Sequence, residues 1–211
     1  MKAVIWDFDG TLFDTYPGMV RALMATLTDY GIEGNADDLL IAIKKDSMKK
    51  VFDEFALTYG LDRQALQATY NAHELILNAE PEADPGAAAA VRSVHNAGGM
   101  NLLWTHRDQK AWRLLARDGL KTLFAGGTTI DMHFKRKPSP ESILYLLDKY
   151  RLSASETLVV GDRKLDAQAA RAAGCHSLYI DVDNLHDAPD AEFTAPTLRA
   201  ALPIIADFCE H

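Results

Sequence analysis

Ala3-Val4-Ile5-Trp6-Asp7-Phe8-Asp9-Gly10-Thr11-Leu12 is the stretch that decides how this chain is read. Its apolar start reads as a strand buried on both faces. The run stops at two carboxylates one residue apart, followed by a glycine and a hydroxyl. Folding alone has little use for that ending, because each buried charge costs desolvation and repels the other. Side chains of an extended segment alternate faces, so Asp7 and Asp9 are expected on one side. Both could there approach one Mg2+, a hard cation that takes oxygen ligands. Gly10 permits a sharp exit and a close approach of backbone to ligand, and Thr11 is expected to hydrogen-bond back into the turn. The plain alternative is a strand followed by an Asp-Gly turn. The rest of the chain decides between them.

The chain has 211 residues, enough for a full core with a smaller inserted domain. Its 48% hydrophobic and 25% charged content is that of a globular protein. A net charge of −8 argues against nonspecific nucleic-acid binding, which needs basic surface. It leaves room for an anionic substrate, because a metal and a few local cations can dominate a site. No apolar segment is long enough to span a membrane, and the amino-terminal run is interrupted by Asp7 and Asp9, so no secretory signal is expected. Cys175 and Cys209 lack metal-ligand spacing and read as free thiols, which points to the cytoplasm.

Strands are expected at Ala3–Asp7, Met100–Thr105, Leu123–Ala125, Thr157–Gly161 and Ser177–Ile180, separated after the second by helices at Ala111–Asp118, Ser139–Tyr150 and Leu165–Ala173. Alternating strands and helices imply an α/β fold with a doubly wound parallel sheet. Between the first and second strands, Pro17–Tyr30, Ala36–Lys44, Met48–Tyr59 and Arg63–Asn78 read as amphipathic helices punctuated by glycines. Pro81-Glu82-Ala83-Asp84-Pro85-Gly86 closes this segment before a helix at Ala87–His95. The expected division is therefore a core of residues 1–15 and 83–211 with a helical insertion at 16–82.

Three further features fall where a catalytic sheet needs them. Leu102-Leu103-Trp104-Thr105 ends a strand in a hydroxyl able to bond a phosphoryl oxygen. Phe134-Lys135-Arg136-Lys137-Pro138 places cations before a helix, with Pro138 suited to a helix start. Leu158-Val159-Val160-Gly161-Asp162 repeats the logic of the opening, with Asp166 four residues on. Each has a bland reading: a threonine beginning a loop, a solvated basic run, an aspartate capping a helix. Ligands of open α/β sheets sit at the carboxyl ends of strands, and the coincidence of all these features there is hard to assign to separate bland causes.

Together, Asp7-Phe8-Asp9-Gly10-Thr11, Thr105, Lys137-Pro138, and Gly161-Asp162 with Asp166 resemble the four ordered motifs of the haloacid-dehalogenase-like hydrolases. The branch most similar holds phosphoglycolate phosphatases and beta-phosphoglucomutases with a small helical cap. The resemblance implies a Rossmann-like sheet of order 5-4-1-2-3, a mobile cap over residues 16–82, and Mg2+-dependent hydrolysis of a small phosphorylated metabolite. It implies that Asp7 is the nucleophile and forms an aspartyl-phosphate, and that Asp9 protonates the leaving oxygen and then activates water. Asp7, the main-chain carbonyl of Asp9, and Asp162 are the implied metal ligands, with Asp166 orienting them from behind. Lys137, Thr105 and backbone amides near Phe8 are the implied phosphate-binding groups.

A sugar phosphomutase shares this core and stays open as an alternative, separated only by cap chemistry and water exclusion. A noncatalytic phosphate-binding regulator is the reading from a different class. A dehalogenase would need neither Asp9 nor the set of Lys137 and Asp162. In the insertion, Lys44-Lys45-Asp46-Ser47 falls between two expected helices, so Lys44, Lys45 and Ser47 are candidates for a substrate's distal anionic group. Arg107, beside the expected mouth with His106, is a further candidate or a surface ion-pair partner. Trp6, Trp104 and Trp112 read as packing residues. Oligomeric state is not legible.

Overall fold

The structure is a computed structural model describing residues Met1–His211. In chain order its strands are β1 (Ala3–Trp6), β2 (Phe13–Asp14), β3 (Glu82–Ala83), β4 (Met100–Trp104), β5 (Phe124–Thr128), β6 (Thr157–Gly161), β7 (His176–Ile180) and β8 (Phe193–Ala195). Its helices are α1 (Tyr16–Asp29), α2 (Ala36–Lys45), α3 (Met48–Tyr59), α4 (Arg63–Leu77), α5 (Ala87–Asn96), α6 (Lys110–Arg117), α7 (Glu141–Tyr150), α8 (Lys164–Ala172) and α9 (Leu202–Glu210). Residues 1–13 with 83–211 form one compact unit and residues 14–82 a second. No helix is long and apolar enough to cross a membrane.

The first unit is a parallel six-stranded sheet in the order β5-β4-β1-β6-β7-β8. The fold is the expected α/β, Rossmann-like one, but the stated order 5-4-1-2-3 needs correction. Counted along the chain within this sheet, the order is 3-2-1-4-5-6, with a sixth strand outside the fifth. That strand, β8, is only Phe193-Thr194-Ala195, too short to carry a period, and it forms by pairing with Leu178–Ile180 of β7. The third strand, expected at Leu123–Ala125, runs instead from Phe124 to Thr128 through two glycines. In the sheet Gly127 is a necessity: a Cβ there would lie 2.4 Å from the Leu103 carbonyl oxygen of β4.

Strand alternation explains the double winding. Val4 and Trp6 of β1 join a cluster with Val91 and Val94 of α5, Leu114 and Leu115 of α6 and Ile205 of α9. Ile5 points the other way, into a cluster with Ile143 and Leu146 of α7 and Ala169 and Ala170 of α8. With both faces covered, β1 can be apolar throughout. Its one polar atom is satisfied, since Trp6 Nε1 donates to Asn101 Oδ1 at 2.8 Å while Asn101 Nδ2 donates to the Val91 carbonyl at 3.0 Å.

The second unit is helical; β2 and β3, each with one residue in either unit, form a two-stranded sheet of their own. Val20, Leu23, Leu27, Leu39, Ile43, Phe52, Leu66 and Tyr70 make its core. A side-chain cap marks the start of three of its four helices, α2, α3 and α4. Asn35 Oδ1 accepts from the amides of Asp37 and Asp38, Ser47 Oγ from Lys50, and Asp62 Oδ1 from Ala65. Gly18 allows α1 to approach the end of α4, because a Cβ there would meet Asn78 Oδ1 at 2.3 Å.

Candidate active site

The carboxyl ends of β1, β4 and β6 carry the chemistry. β1 ends at Trp6, one residue earlier than expected, and Asp7 follows it with its amide still donating to the Val160 carbonyl at 2.9 Å. Asp7 is therefore held at the rim between β1 and β6. Lys137, on the loop before α7, reaches it with Nζ 2.6 Å from Asp7 Oδ1, and the same ammonium lies 2.8 Å from Asp166 Oδ1. These groups are almost wholly out of water. Asp166 turns its other oxygen to the Arg163 amide at 3.0 Å, which caps α8. Asp162 precedes that cap, so Asp166 rather than Asp162 serves the helix. Gly161 makes the arrangement possible, since a Cβ there would lie 2.4 Å from Asp166 Oδ2.

One carboxylate oxygen from each of Asp7, Asp162 and Asp166 lies within 4.8 Å of the others, all three residues buried. The Lys137 ammonium pairs with two of the three acids, and burial dominates the result. Asp7 is pushed up from 3.8 to about 7 by desolvation, opposed by Lys137 and reinforced by the negative charges of Asp166 and Asp162. A buried all-oxygen set short of positive charge has the chemistry that suits a hard divalent cation. The residues present fit such an ion.

Asp9 departs from the expectation that it would share this space. The extended segment ends before it: Gly10, with φ of 74°, turns the chain, and the Phe8 carbonyl accepts from the amides of Thr11, Leu12 and Phe13. The Asp9 side chain instead meets Arg107, Nε to Oδ1 at 2.6 Å, and is not one of the three clustered carboxylates. The Thr11 hydroxyl does not bond back into the turn; it is buried without a hydrogen-bond partner. Phe8 is a packing side chain, stacked on Phe13 with ring centroids 4.4 Å apart.

Thr105 stands at the end of β4, its amide donating to the Thr128 carbonyl at 3.1 Å and its Oγ1 accepting from the Arg107 amide at 3.0 Å. That acceptance leaves its own proton to donate elsewhere. His106 accepts from the Lys137 amide through Nε2 at 3.4 Å and so ties the two loops together. Burial and the charges of Lys137, Arg136 and Arg163 push it down to about 2, so the ring is neutral. A cleft of about 240 Å³ borders these loops, lined among others by Trp104, Thr105, His106, Thr128 and Arg136.

Two features were not anticipated. Trp104 packs in the core, but its ring also lies beneath the Lys137 ammonium, 3.8 Å from Nζ to centroid, and Ser142 fixes the indole by accepting from Nε1 at 2.6 Å. The adjacent Trp-Thr pair and the basic run held the signal, but nothing in one dimension joins them. Pro138 does not start a helix; α7 begins at Glu141.

In the second unit Lys44 is buried with Nζ 4.5 Å from the Tyr16 ring centroid, Lys45 is exposed at the end of α2, and Ser47 spends its Oγ capping α3. The structure thus brings Asp7, Lys137, Asp162 and Asp166 together, sets Asp9 with Arg107, and leaves Lys44, Lys45 and Ser47 within the helical unit.

Comparison with known proteins identifies the family. A sequence model of the family described as "Haloacid dehalogenase-like hydrolase" matches residues 4–180. A phosphoglycolate phosphatase of Aliivibrio fischeri is 31% identical over 206 residues, covering 90% of this chain and 88% of its own. Among solved structures, a hydrolase from Streptococcus pneumoniae TIGR4 is 33% identical with a TM-score of 0.60, covering 84% of this chain and 92% of that one. A beta-phosphoglucomutase from Clostridium difficile shares the fold at a TM-score of 0.81 and 17% identity, covering 100% and 97%. With a match running from β1 to the end of β7, the chain belongs to the haloacid dehalogenase-like hydrolase family.

Proposed function

We propose that the chain is a Mg2+-dependent phosphatase that hydrolyses a small phosphorylated metabolite through an aspartyl-phosphate on Asp7. The observation that carries this reading is the buried Asp7 carboxylate beside Lys137, with Asp162 and Asp166 closing the cluster. The carboxylates of Asp7 and Asp162 and the main-chain carbonyl of Asp9 would hold the ion. When bound, it supplies the charge that keeps Asp7 ionised and offsets that of the phosphoryl oxygens.

Asp7 attacks phosphorus with one carboxylate oxygen, and the bond to the leaving oxygen breaks. Asp9, entering as the acid, gives that oxygen its proton, so an alcohol departs and Asp9 is left as a carboxylate. Lys137 holds the nucleophile and spreads positive charge toward the transferring group, from an ammonium already desolvated and aimed. Thr105 donates its free hydroxyl proton to a phosphoryl oxygen. Water then attacks the phosphorus of the aspartyl-phosphate while Asp9 takes its proton; the bond from phosphorus to the Asp7 oxygen breaks, inorganic phosphate leaves, and Asp7 returns to a carboxylate with Asp9 protonated.

Residues 14–82 form the cap in this reading, with Lys44, Lys45 and Ser47 as its candidates for a distal anionic group. Phosphoglycolate, named by the Aliivibrio relative, is the first substrate to offer. The test is release of inorganic phosphate from p-nitrophenyl phosphate and a panel including phosphoglycolate, with Mg2+ and with chelator. Metal-dependent release is expected, and Asp7→Asn should lower it by at least about 10⁴-fold while the thermal melt survives. No release from any monoester by folded protein, full activity in Asp7→Asn, or isomerised sugar phosphate in place of free phosphate would each overturn the reading.

A further inference from the structure

We propose that Arg107 is the positioning residue of the acid–base group: its guanidinium grips one oxygen of Asp9 so that the other is left to exchange a proton with the leaving group. The inference rests on the phosphatase reading above. Asp9 lies past the end of β1, on a turn beside Gly10 and outside the packed carboxylate cluster. A side chain so placed has rotamer freedom that general acid catalysis cannot tolerate, since the proton must sit within hydrogen-bond reach of the leaving oxygen.

Arg107 removes that freedom. Nε meets Asp9 Oδ1 at 2.6 Å, and the two side chains are only 12% and 20% exposed. The guanidinium is itself fixed, lying 5.9 Å from the Phe8 ring centroid. Its main chain is tied as well, because the Arg107 amide donates to Thr105 Oγ1 at 3.0 Å. One residue therefore joins the acid to the hydroxyl proposed to hold the phosphoryl group. A guanidinium can only donate, so it engages Oδ1 as an acceptor and the mobile proton is carried on Oδ2. Lysine offers a point charge without the planar fork and would hold the same oxygen less firmly.

The experiment compares R107A, R107K and D9N on two esters, p-nitrophenyl phosphate, whose leaving group departs without a proton, and an alkyl phosphate, whose leaving group needs one. kcat/KM reports the steps through attack by Asp7. R107A is expected to lose about 30-fold more kcat/KM on the alkyl ester than on the nitrophenyl ester, less than the roughly 10²–10⁴-fold a general acid contributes because Asp9 itself is retained. R107K should recover part of that difference, with both melting within a few degrees of the wild type. R107Q reads the same way if R107A unfolds. Equal loss on both esters would assign Arg107 to the phosphoryl group instead, and no loss would leave it a surface pair; either result overturns the proposal. D9N without leaving-group selectivity would show that the acid–base assignment itself has failed, and the proposal with it.

Discussion

Asp7 and Asp9 are two residues apart, yet the regions around them differ in kind. Around Asp7 the rim is dry. Asp7, Lys137 and Asp166 are each at most 4% exposed in their side chains, and one ammonium is shared by two carboxylates there. Around Asp9 the rim is less dry, with the Asp9 side chain 20% exposed, and it is the ion pair with Arg107 that meets it. A carboxylate that must attack profits from dryness and from cations already oriented. A carboxylate that must carry protons in and out profits from contact with water. On the proposed mechanism, one short loop would assign two chemistries to one residue type, with environment rather than identity separating nucleophile from acid.

The sharpest way to break the contrast is to remove the cation at its dry side. Lys137→Met should lower kcat by about 10²–10³-fold, the usual effect of losing one preorganised charge at a phosphoryl site. It should also cost about 3 kcal/mol in urea unfolding, because Asp7 and Asp166 are left buried against each other. Loss of Arg107 should cost less, about 1–2 kcal/mol of stability, because the Asp9 side chain keeps some contact with water. Comparable losses at the two positions would erase the distinction.

A second test uses protons. Asp7 is raised from 3.8 to about 7 chiefly by burial, so the folded metal-free protein holds this proton more tightly than the unfolded chain. The stabilising contribution is full below the ordinary aspartate range and is lost as pH rises through about 7. A divalent ion must displace the proton, so Mg2+ affinity should fall about tenfold per unit below pH 7 and level off above it. Calorimetry in buffers of different ionisation enthalpy should register up to one proton released per ion at pH 6. A flat affinity from pH 5 to 8 would contradict the picture of a dry, proton-holding Asp7.

The smallest effect sharpens the contrast with the helical unit. Asn35 caps α2 through two amides, a purely local device. Asn35→Ala should lower stability by about 1 kcal/mol, read in urea unfolding, and leave kcat on p-nitrophenyl phosphate unchanged.

Much of the fold is legible because its causes are local. The apolar runs of β1, β4 and β6, the helix starts at Asn35, Ser47 and Asp62, and the glycine stops at Gly60, Gly119 and Gly174 all act within a few residues. β8 and α9 lie beyond that reach. A three-residue strand and a nine-residue helix with Pro203 near its start are stabilised by what they pack on, not by their own pattern. The site divides in the same way. Asp7, Thr105, Lys137, Asp162 and Asp166 could be named from strand ends and resemblance, since sheet topology gathers those ends wherever a parallel fold forms. The Trp104 ring under Lys137, the neutral His106 bridging two loops and the grip of Arg107 on Asp9 join residues 31 to 98 positions apart. By itself, the sequence determined which side chains could do chemistry and at which rim they would stand. Only the tertiary structure decided which of them are dry, which share a proton or an ion pair, and which way Asp9 turns, because desolvation and Coulomb energy depend on distances through space.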